Sequence, residues 1–382
     1  MELKKILGID ASNINDGGGL VNLINFLECY IDNPKYFKKI FIFCNNENIY
    51  KIPDDINIIK IKTLNKKTLL SYFMWNFFIL PKLLKNNKCD VLFVPGSSYL
   101  GSFKPFLTVS QNMLPFAFNI VIKMGSRNIV KFFLLRIVQT LTFLRANHVI
   151  FLNEDSSNII RRKIFKLKDY SIISHGAHPK FFKIPKKQIS FKNYNKKNPF
   201  KILYVSNFDP YKNHLELLNC FKIINQKHLS IKLYLVGNFN TQYNFKIRKK
   251  LKNLIANLEL QNNNFLEIFE NVSNNQINKF YFDADLFIYP SNCENMPIIL
   301  LEAMASGLPI ICSDNIIFKN IIGETGVYFN CNNVNDIYTK TFSFINNPEK
   351  RSDNAVSNYK KAQQYLWTNF YNKTIKTLYS LC

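Results

Sequence analysis

The chain lacks the residue patterns that build metal sites and disulfide frameworks. Its eight cysteines include no C-x-x-C pair and its five histidines are scattered, whereas structural zinc sites need such residues at close spacing. The letters of a D-x-D metal motif occur at Asp283-Ala-Asp285, but an apolar run follows and places them at the start of a buried strand. We therefore predict reduced thiols, no metal site and no bound cofactor.

The chain also lacks an apolar run of the ~20 residues that a helix needs to cross a bilayer. The two segments richest in Phe and Leu, Leu69 to Leu84 and Ile129 to Leu144, are shorter than that. Met1 to Lys5 leads into a short strand-like run rather than the long apolar core of a signal peptide. These absences predict a cytoplasmic protein without a spanning helix.

Acidic residues are scarce: 26 Asp and Glu stand against 50 Lys and Arg, a net charge of +24. Residues 1–195 carry 29 basic and 12 acidic side chains (+17), and residues 196–382 carry 21 and 14 (+7). A basic chain can bind nucleic acid. However, no helix-turn-helix, zinc finger or RNA-reading aromatic motif is apparent, and the basic residues are spread through the chain. We keep nucleic-acid binding only as a rival function.

The positive charge is also typical of proteins that bind to an anionic membrane surface. In the segment Ile129 to Leu144 and its flanks, Arg127, Lys131 and Arg145 fall within ~40° of one another at 100° per residue, beside a broad apolar surface. Such a stripe is typical of helices that lie in an anionic interface, although ordinary core helices with solvated charges give the same pattern. The hypothesis is a peripheral protein on the cytoplasmic face of the inner membrane.

The apolar periodicity alternates between strands and helices nearly throughout, and 382 residues suffice for two domains of ~150 residues or more. The sequence predicts an α/β protein with residues 1–182 as the first Rossmann-like domain, 183–199 as a linker rich in Lys and Asn, 200–355 as the second domain and 356–382 as a helical segment. The predicted strands are Lys5 to Asp10, Ile40 to Cys44, Ile56 to Lys62, Val91 to Pro95, Leu107 to Ser110, His148 to Leu152, Ser171 to Ser174, Lys201 to Ser206, Ile231 to Val236, Leu286 to Tyr289 and Pro309 to Ser313.

The most informative segment runs from Ser291 to Asp314. It follows Leu286 to Tyr289, which is continuously apolar, as in a strand buried on both faces. Pro297 suits the first turn of a helix that runs to Ser306, and Gly307 with Pro309 ends it. The segment therefore predicts a strand, a loop and a helix at the carboxyl edge of a parallel sheet, where α/β proteins bind ligands.

Two glutamates stand eight positions apart in this segment. Glu294 is predicted in the loop, beside a helix N-terminus that favours anions, and Glu302 lies inside the helix. Eight helical residues separate two backbones by about 12 Å. The two carboxylates of a glycoside hydrolase are ~5–9.5 Å apart, so such a pair is disfavoured. The spacing instead suits a nucleotide sugar, with its sugar near one glutamate and its ribose near the other.

The segment resembles the E-x7-E signature of the family-4 retaining glycosyltransferases. Other family motifs occur in the family's order: Gly17-Gly18-Gly19 after the first strand, Ser174-His-Gly176, Val205-Ser-Asn-Phe-Asp-Pro-Tyr-Lys-Asn213 and Leu233-Tyr-Leu-Val-Gly237. The resemblance implies the GT-B fold: two Rossmann-like domains facing each other across a cleft, with a C-terminal helix that crosses back to the first, acceptor-side domain.

The resemblance also implies residue roles. Glu294 and Lys212 are the expected catalytic residues, with Glu294 on the transferred sugar and Lys212 on the diphosphate, and Glu302 is expected on the ribose. The implied reaction is a metal-free transfer of a sugar with retention of configuration. Its donor is a nucleotide sugar, with UDP favoured over GDP as the nucleotide. Its acceptor is a glycan or lipid-linked saccharide in bacterial surface polysaccharide synthesis. The other expected donor-binding residues are Gly17, Gly18, Ser206, Asn207, Asn295, Met296 and Pro297, and the expected acceptor or sugar contacts are Gln111 and Asn112.

The chain departs from the common family pattern at three places. Ser206-Asn207 stands where many members have Gly-Arg, so a phosphate-binding cation is missing there. Gln111-Asn112 replaces a His-Asp, and Gln111 can hydrogen-bond a sugar hydroxyl but cannot act as a general base. Asn295-Met296 replaces a Phe-Gly. Subfamily variation or an inactive paralogue would explain these departures. A GT-B-fold epimerase is a second enzyme alternative, although nothing in the chain singles out its acid/base pair.

Overall fold

The computed structural model of the chain describes residues 5–14, 17–63, 68–164, 167–228, 230–238, 245–260 and 265–382. The chain forms two compact units. The first comprises Met1–Phe116, Val130–Gly176 and Leu366–Cys382, and the second comprises Ala117–Ile129 and Ala177–Tyr365.

In chain order the α-helices of the described residues are α1 (Gly17–Asp32), α2 (Leu69–Met74), α3 (Leu80–Asn86), α4 (Phe118–Val121), α5 (Ser126–Arg145), α6 (Glu154–Arg161), α7 (His214–Lys227), α8 (Phe245–Leu260), α9 (Ile277–Asp283), α10 (Ile298–Ala305), α11 (Ile316–Ile322), α12 (Val334–Ile345), α13 (Pro348–Ala362) and α14 (Trp367–Ser380). No helix among them is both long and apolar enough to cross a bilayer.

The first unit contains a seven-stranded parallel sheet in the order β3-β2-β1-β4-β5-β6-β7. The central strands are apolar and buried along their whole length, which is why they pair in parallel with helices on both faces. The strands are β1 (Lys5–Ala11), β2 (Phe37–Cys44), β3 (Ile58–Lys62), β4 (Val91–Val94), β5 (Phe106–Ser110), β6 (His148–Phe151) and β7 (Tyr170–Ile172).

The second unit contains a six-stranded parallel sheet in the order β10-β9-β8-β11-β12-β13. Its strands are β8 (Phe200–Val205), β9 (Ile231–Val236), β10 (Leu266–Phe269), β11 (Leu286–Tyr289), β12 (Ile310–Ser313) and β13 (Val327–Phe329). The direction of strand addition reverses between β8 and β11 here, and between β1 and β4 in the first sheet. Both sheets therefore have a topological switch point, the usual ligand-binding place in an open α/β sheet.

The prediction of two Rossmann-like sheets is confirmed, and all eleven predicted strands are present within two or three residues. The sequence missed β10 and β13, which are short and lie at the two edges of the second sheet. The C-terminal helix α14 belongs to the first unit, as the resemblance implied. It packs on α1, where the rings of Phe26 and Tyr371 meet at 5.3 Å and the Tyr371 hydroxyl donates to the carbonyl of Asn33.

The helices add three details to the sequence prediction. Helix α1 begins at Gly17, so the glycines form its first turn. Helix α10 begins at Ile298, and Pro297 is its N-cap in an extended conformation. The helical segment Leu69 to Leu84 is interrupted by a π-helical turn, Trp75–Ile79. Pro81 explains this turn, because its ring and missing N–H disturb the regular α-helical bonding of the preceding turn.

Candidate active site

The candidate active site of the second unit lies at the switch point of its sheet. Strand β8 leads into the loop that carries Lys212, and strand β11 leads into the loop that carries Glu294. Because both strands are parallel neighbours, their carboxyl ends meet at one edge of the sheet. Two residues 82 positions apart in sequence are thereby brought into contact.

Lys212 and Glu294 form a buried ion pair. The ammonium of Lys212 donates to the carboxylate of Glu294, and only 11% and 12% of the two side chains are exposed. The same ammonium lies 3.4 Å from the hydroxyl of Tyr289, the last residue of β11. A buried charge is stable only when it is paired and hydrogen-bonded, so each partner holds the other in place.

Two serines hold the Glu294 loop. The hydroxyl of Ser291 donates to the carboxylate of Glu294 at 2.6 Å. The hydroxyl of Ser313, at the end of β12, in turn donates to the carbonyl of Ser291 at 2.5 Å. Both serines are buried. The carboxylate of Glu294 is therefore oriented by an ammonium and a hydroxyl rather than by solvent.

The backbone at Lys212 is fixed from the strand side. The hydroxyl of Tyr204 in β8 donates to the carbonyl of Lys212 at 2.8 Å. His214, at the start of α7, stacks on Phe208 with a ring distance of 4.3 Å. Burial, and to a lesser degree the charge of Lys212, lowers the pKa of His214 to about 3, so this ring stays neutral and adds no second cation to the site.

The N-terminus of α10 lies next to Glu294 in the chain. Its N-cap, Pro297, makes no side-chain hydrogen bond to the helix. Proline has no N–H, so Pro297 offers no donor. The donors of the first turn are the backbone amides of Ile298 and Ile299. Asn295 and Met296, which precede the cap, are buried. This helix end can offer two backbone donors and the positive end of a helix dipole to an anion.

Glu302 is buried inside α10, and the hydroxyl of Tyr281 donates to its carboxylate at 2.9 Å. Burial raises the pKa of Glu302 to about 7; the hydrogen bond from Tyr281 and the charge of Lys180 oppose this effect only in part. The carboxyl group is consequently half ionised near neutral pH. It can accept hydrogen bonds from a ligand when ionised.

This pKa makes Glu302 a source of instability at high pH. The carboxyl ionises near pH 4.5 in the unfolded chain and near pH 7 in the folded one, so stability falls between these values and stays reduced above them. We expect Glu302→Gln to be more stable than the wild type at pH 8 by up to ~3 kcal/mol and to gain less at pH 5. Differential scanning calorimetry at both pH values measures the difference.

Glu349→Gln is the matched control, because Glu349 lies exposed in the first turn of α13. It should change the unfolding temperature by the same small amount at both pH values. A Glu302→Gln variant that is less stable than the wild type at pH 8 would show that the ionised carboxylate is held by hydrogen bonds stronger than the cost of its burial.

Ser206 and Asn207 follow β8 and line the same sheet edge. Ser206 donates its hydroxyl to the carbonyl of Asn207 at 2.9 Å, and Gly237 packs directly against the Ser206 carbonyl. A Cβ atom on Gly237 would lie 1.9 Å from that oxygen, so only glycine fits there. The structure places a tight, uncharged loop where many members of the resembled family carry an arginine.

The sequence-predicted residues of the first unit lie at its own switch point. Gly17, Gly18 and Gly19 open α1 after β1, and Gly17 has a φ of +61°. The side-chain oxygen of Gln111, just after β5, lies 3.4 Å from where a Cβ of Gly19 would be. The side-chain amide nitrogen (Nε2) of Gln111 is buried with no hydrogen-bond partner among the described residues. Asn112 instead uses its side-chain oxygen to accept from the amide of Leu114.

Three residues of the second-unit site were missed from the sequence: Tyr281, Tyr289 and Ser291. Tyr289 ends a predicted strand and Ser291 opens the E-x7-E segment, so their positions were visible but not their roles. Tyr281 reaches Glu302 from α9, a contact that only the fold reveals. The eight cysteines are all free, and no group of three or more metal-ligating side chains occurs within the described part of the chain.

The comparison with known families finds a match in the second half of the chain. Residues 185–362 match the model of the glycosyl transferases, group 1. The matched region contains Lys212, Glu294 and Glu302, and it covers most of the second unit. Glycosyltransferase activity is thereby supported, and the nucleic-acid-binding and epimerase alternatives are not favoured.

Two relatives extend over most of the chain. An uncharacterized glycosyltransferase of Haemophilus influenzae is 25% identical over 362 residues, which cover 91% of this chain and 92% of that protein. The N,N'-diacetylbacillosaminyl-diphospho-undecaprenol alpha-1,3-N-acetylgalactosaminyltransferase of Campylobacter jejuni is 23% identical over 340 residues, covering 82% and 86% of the two chains.

Two solved structures share the fold. Sucrose-phosphate synthase from Thermosynechococcus elongatus superimposes with a TM-score of 0.79 at 14% identity and covers 99% of both chains. HepE of Anabaena in complex with UDP and glucose gives a TM-score of 0.73 at 15% identity, with 99% of this chain and 100% of that chain covered. The predicted GT-B fold is confirmed by these neighbours.

Proposed function

We propose that the chain is a retaining glycosyltransferase that moves a sugar from a nucleotide-diphosphate sugar to a glycan or lipid-linked saccharide. The observation that carries this proposal is the buried pair of Lys212 and Glu294 at the switch point, with the N-terminus of α10 beside it. This arrangement combines a cation, oriented backbone donors and an oriented carboxylate at one sheet edge, which are the groups that a charged diphosphate and a neutral sugar require.

Lys212 would hold the diphosphate. An ammonium has three N–H donors; one goes to Glu294 and one points towards the Tyr289 hydroxyl, so a third is left for a phosphate oxygen. The amides of Ile298 and Ile299 supply further donors. Because His214 stays neutral and Ser206-Asn207 carries no charge, phosphate neutralisation rests on Lys212 and the helix end more than in relatives with an arginine.

The two glutamates would bind the two ends of the donor. Glu294, held by Lys212 and Ser291, is placed to accept hydrogen bonds from hydroxyls of the transferred sugar. Glu302, deeper in α10, would accept from the ribose hydroxyls in its ionised form. Binding there favours the ionised carboxylate, so nucleotide affinity should rise as the pH passes 7.

The reaction breaks the bond between the anomeric carbon and the diphosphate oxygen and forms a bond from the same carbon to an acceptor hydroxyl oxygen. The departing nucleoside diphosphate takes the electron pair, and the hydroxyl proton passes to the departing phosphate oxygen when the acceptor attacks from the same face. Negative charge develops on the leaving group, where Lys212 and the α10 amides stabilise it without a metal ion.

The names of relatives support the proposed classes of donor and acceptor. HepE was solved with UDP and glucose, which supports a UDP-sugar over a GDP-sugar as donor. The Campylobacter relative is named for a diphospho-undecaprenol acceptor, and a Staphylococcus aureus relative is named for capsular polysaccharide biosynthesis. These names support the proposal that the reaction belongs to bacterial surface polysaccharide synthesis.

A donor screen tests the proposal. The purified protein is incubated with single UDP- and GDP-sugars and with lipid-linked saccharides from bacterial membranes, and products are detected by mass spectrometry. We expect transfer from one UDP-sugar, an unchanged anomeric configuration in the product by NMR and the same rate in EDTA. Transfer with inversion, or complete loss in EDTA that metal restores, would contradict the proposed mechanism.

A further inference from the structure

The first unit exposes large apolar side chains on two helical segments. One is α2 with the π-helical turn that follows it, and the other is α5; together we call their exposed side chains the apolar face. Each member is between 37% and 71% exposed. The members are Leu70, Phe73, Met74, Phe77, Phe78, Val130, Phe133, Leu134, Ile137 and Leu141.

The five members on α5 form one stripe. At 100° per residue, positions 130, 133, 134, 137 and 141 fall within ~100° of the helix circumference. The opposite side of the same helix is buried, including Phe132, Thr142 and Phe143. The sequence left open whether this helix was an ordinary core helix, and the structure shows that it has a buried side and a second, exposed apolar side.

The two segments lie on the same side of the first sheet. Along the sheet, the chain moves one way from β1 to β2 and the other way from β3 to β4 and from β5 to β6. Parallel crossovers are right-handed, so helices in connections of opposite direction lie on opposite faces. Helices α2, α3 and α5 therefore lie on the face opposite to α1. The loop of residues 99–101 joins them. The amide of Leu100 donates to Asn76 of the π-helical turn, and the amide of Tyr99 donates to Thr142 of α5.

The stretch of sequence that carries the apolar face is strongly basic. From residue 56 to residue 153 the chain has 13 Lys and Arg and a single acidic residue, Asp90. Arg127 and Lys131 are exposed on α5, at ~60° and ~100° from the position of Val130 and so along one edge of the apolar stripe. Arg145, which the sequence placed in the same basic stripe, is half-buried and donates to the carbonyl of Gly101 instead.

We propose that the apolar face docks on a membrane surface that contains anionic lipid, with α5 and the π-helical turn lying in the plane of the interface. Contiguous exposed apolar surface marks an interaction site, and basic residues at its edge select an occupant that is both apolar and negatively charged. A second copy of the chain is a poorer occupant, because it would bring the same basic residues against themselves.

Vesicle co-sedimentation tests this inference, and its readout does not depend on the donor site. The test variant carries Phe78→Ser, Phe133→Ser and Leu134→Ser. Its matched control carries Ile56→Ser, Ile184→Ser and Ile316→Ser, at positions outside the apolar face that are 55–91% exposed, against 48–58% for the three test positions. With phosphatidylcholine vesicles that contain phosphatidylglycerol, we expect the test variant to lose at least about 30-fold in partition coefficient and the control less than about twofold.

The charge is tested separately. Arg127→Gln with Lys131→Gln should weaken binding to the same vesicles by about tenfold or more, whereas Lys340→Gln with Lys350→Gln, two exposed lysines of the second unit, should not. Pure phosphatidylcholine vesicles should bind the wild type at least about tenfold more weakly than anionic ones. Circular dichroism and the unfolding temperature confirm that each variant is folded.

The proposal is overturned if the serine variant and its control sediment alike, or if neutral and anionic vesicles bind the wild type equally. It is also overturned if analytical ultracentrifugation without lipid shows a wild-type dimer that the serine variant dissociates, because the apolar face would then be a contact between two copies. Failure of the donor screen leaves these outcomes unchanged, so the two proposals can fail independently.

Discussion

Replacing Lys212 by methionine is expected to lower kcat/KM for the nucleotide-sugar donor by about 10- to 150-fold. A charge-assisted hydrogen bond is worth roughly 1.5–3 kcal/mol, and here the bond to phosphate strengthens as the leaving group gains charge. Methionine keeps the bulk of the buried side chain but removes the cation. Initial rates over a range of donor concentrations separate the loss in kcat from any change in KM.

Lys201→Met is the matched control for this variant. Lys201 also pairs with a carboxylate in the second unit, at 2.8 Å from Asp283, but it lies at the opposite, amino end of β8. We expect kcat/KM within about twofold of the wild type, since partly exposed pairs contribute little. Near-wild-type turnover in a folded Lys212→Met protein would remove Lys212 from the proposed mechanism.

The second prediction distinguishes the roles of Glu294 and Glu302 in donor binding and catalysis. Glu294→Gln should lower kcat by roughly 100-fold without weakening the binding of UDP alone, because this carboxylate is proposed to touch the sugar, and the glutamine oxygen can still accept from Lys212, which keeps its charge for the diphosphate. Glu302→Gln should weaken UDP binding by about tenfold at pH 8, where the wild-type carboxylate is ionised. Titration calorimetry with UDP and initial rates measure the two effects.

Glutamine preserves the hydrogen bonds that Ser291 and Tyr281 donate, so both variants should fold. Asp283→Asn, which breaks the pair with Lys201, controls for the loss of one carboxylate elsewhere in the unit. Equal loss of UDP affinity in Glu294→Gln and Glu302→Gln would show that the two ends of the donor are not divided between these residues.

Local chemistry explains why much of the second sheet could be predicted. Strand β11 was predicted at its observed bounds because its four residues are continuously apolar, and α10 was predicted because proline precedes it and Gly307 ends it with a φ of +66°. Strands β10 and β13 were not predicted. They are only four and three residues long and include half-exposed positions, so their sequences give no clear strand pattern.

The contacts of the site could not be predicted, because they depend on topology. The sequence singled out Lys212 and Glu294 as separate residues, but their pairing requires β8 and β11 to be neighbours although two strands and three helices intervene in the chain. The raised pKa of Glu302 depends in the same way on the packing around α10 and on Tyr281 from α9. The apolar periodicity of the sequence predicted helix α5. It could not show that α5 has two apolar sides, of which one packs against the protein and the other is exposed to solvent.

The placement of α14 has a consequence for biosynthesis. The first unit is discontinuous in the chain: it is left at Gly176 and re-entered at Leu366. Trp367, Phe370 and Tyr371 are buried in it, and the first two lie against the ring of His175. Domains fold largely as they leave the ribosome. The unit that begins first is thus completed last, and until residues 366–382 emerge the apolar surface that α14 covers stays exposed to solvent.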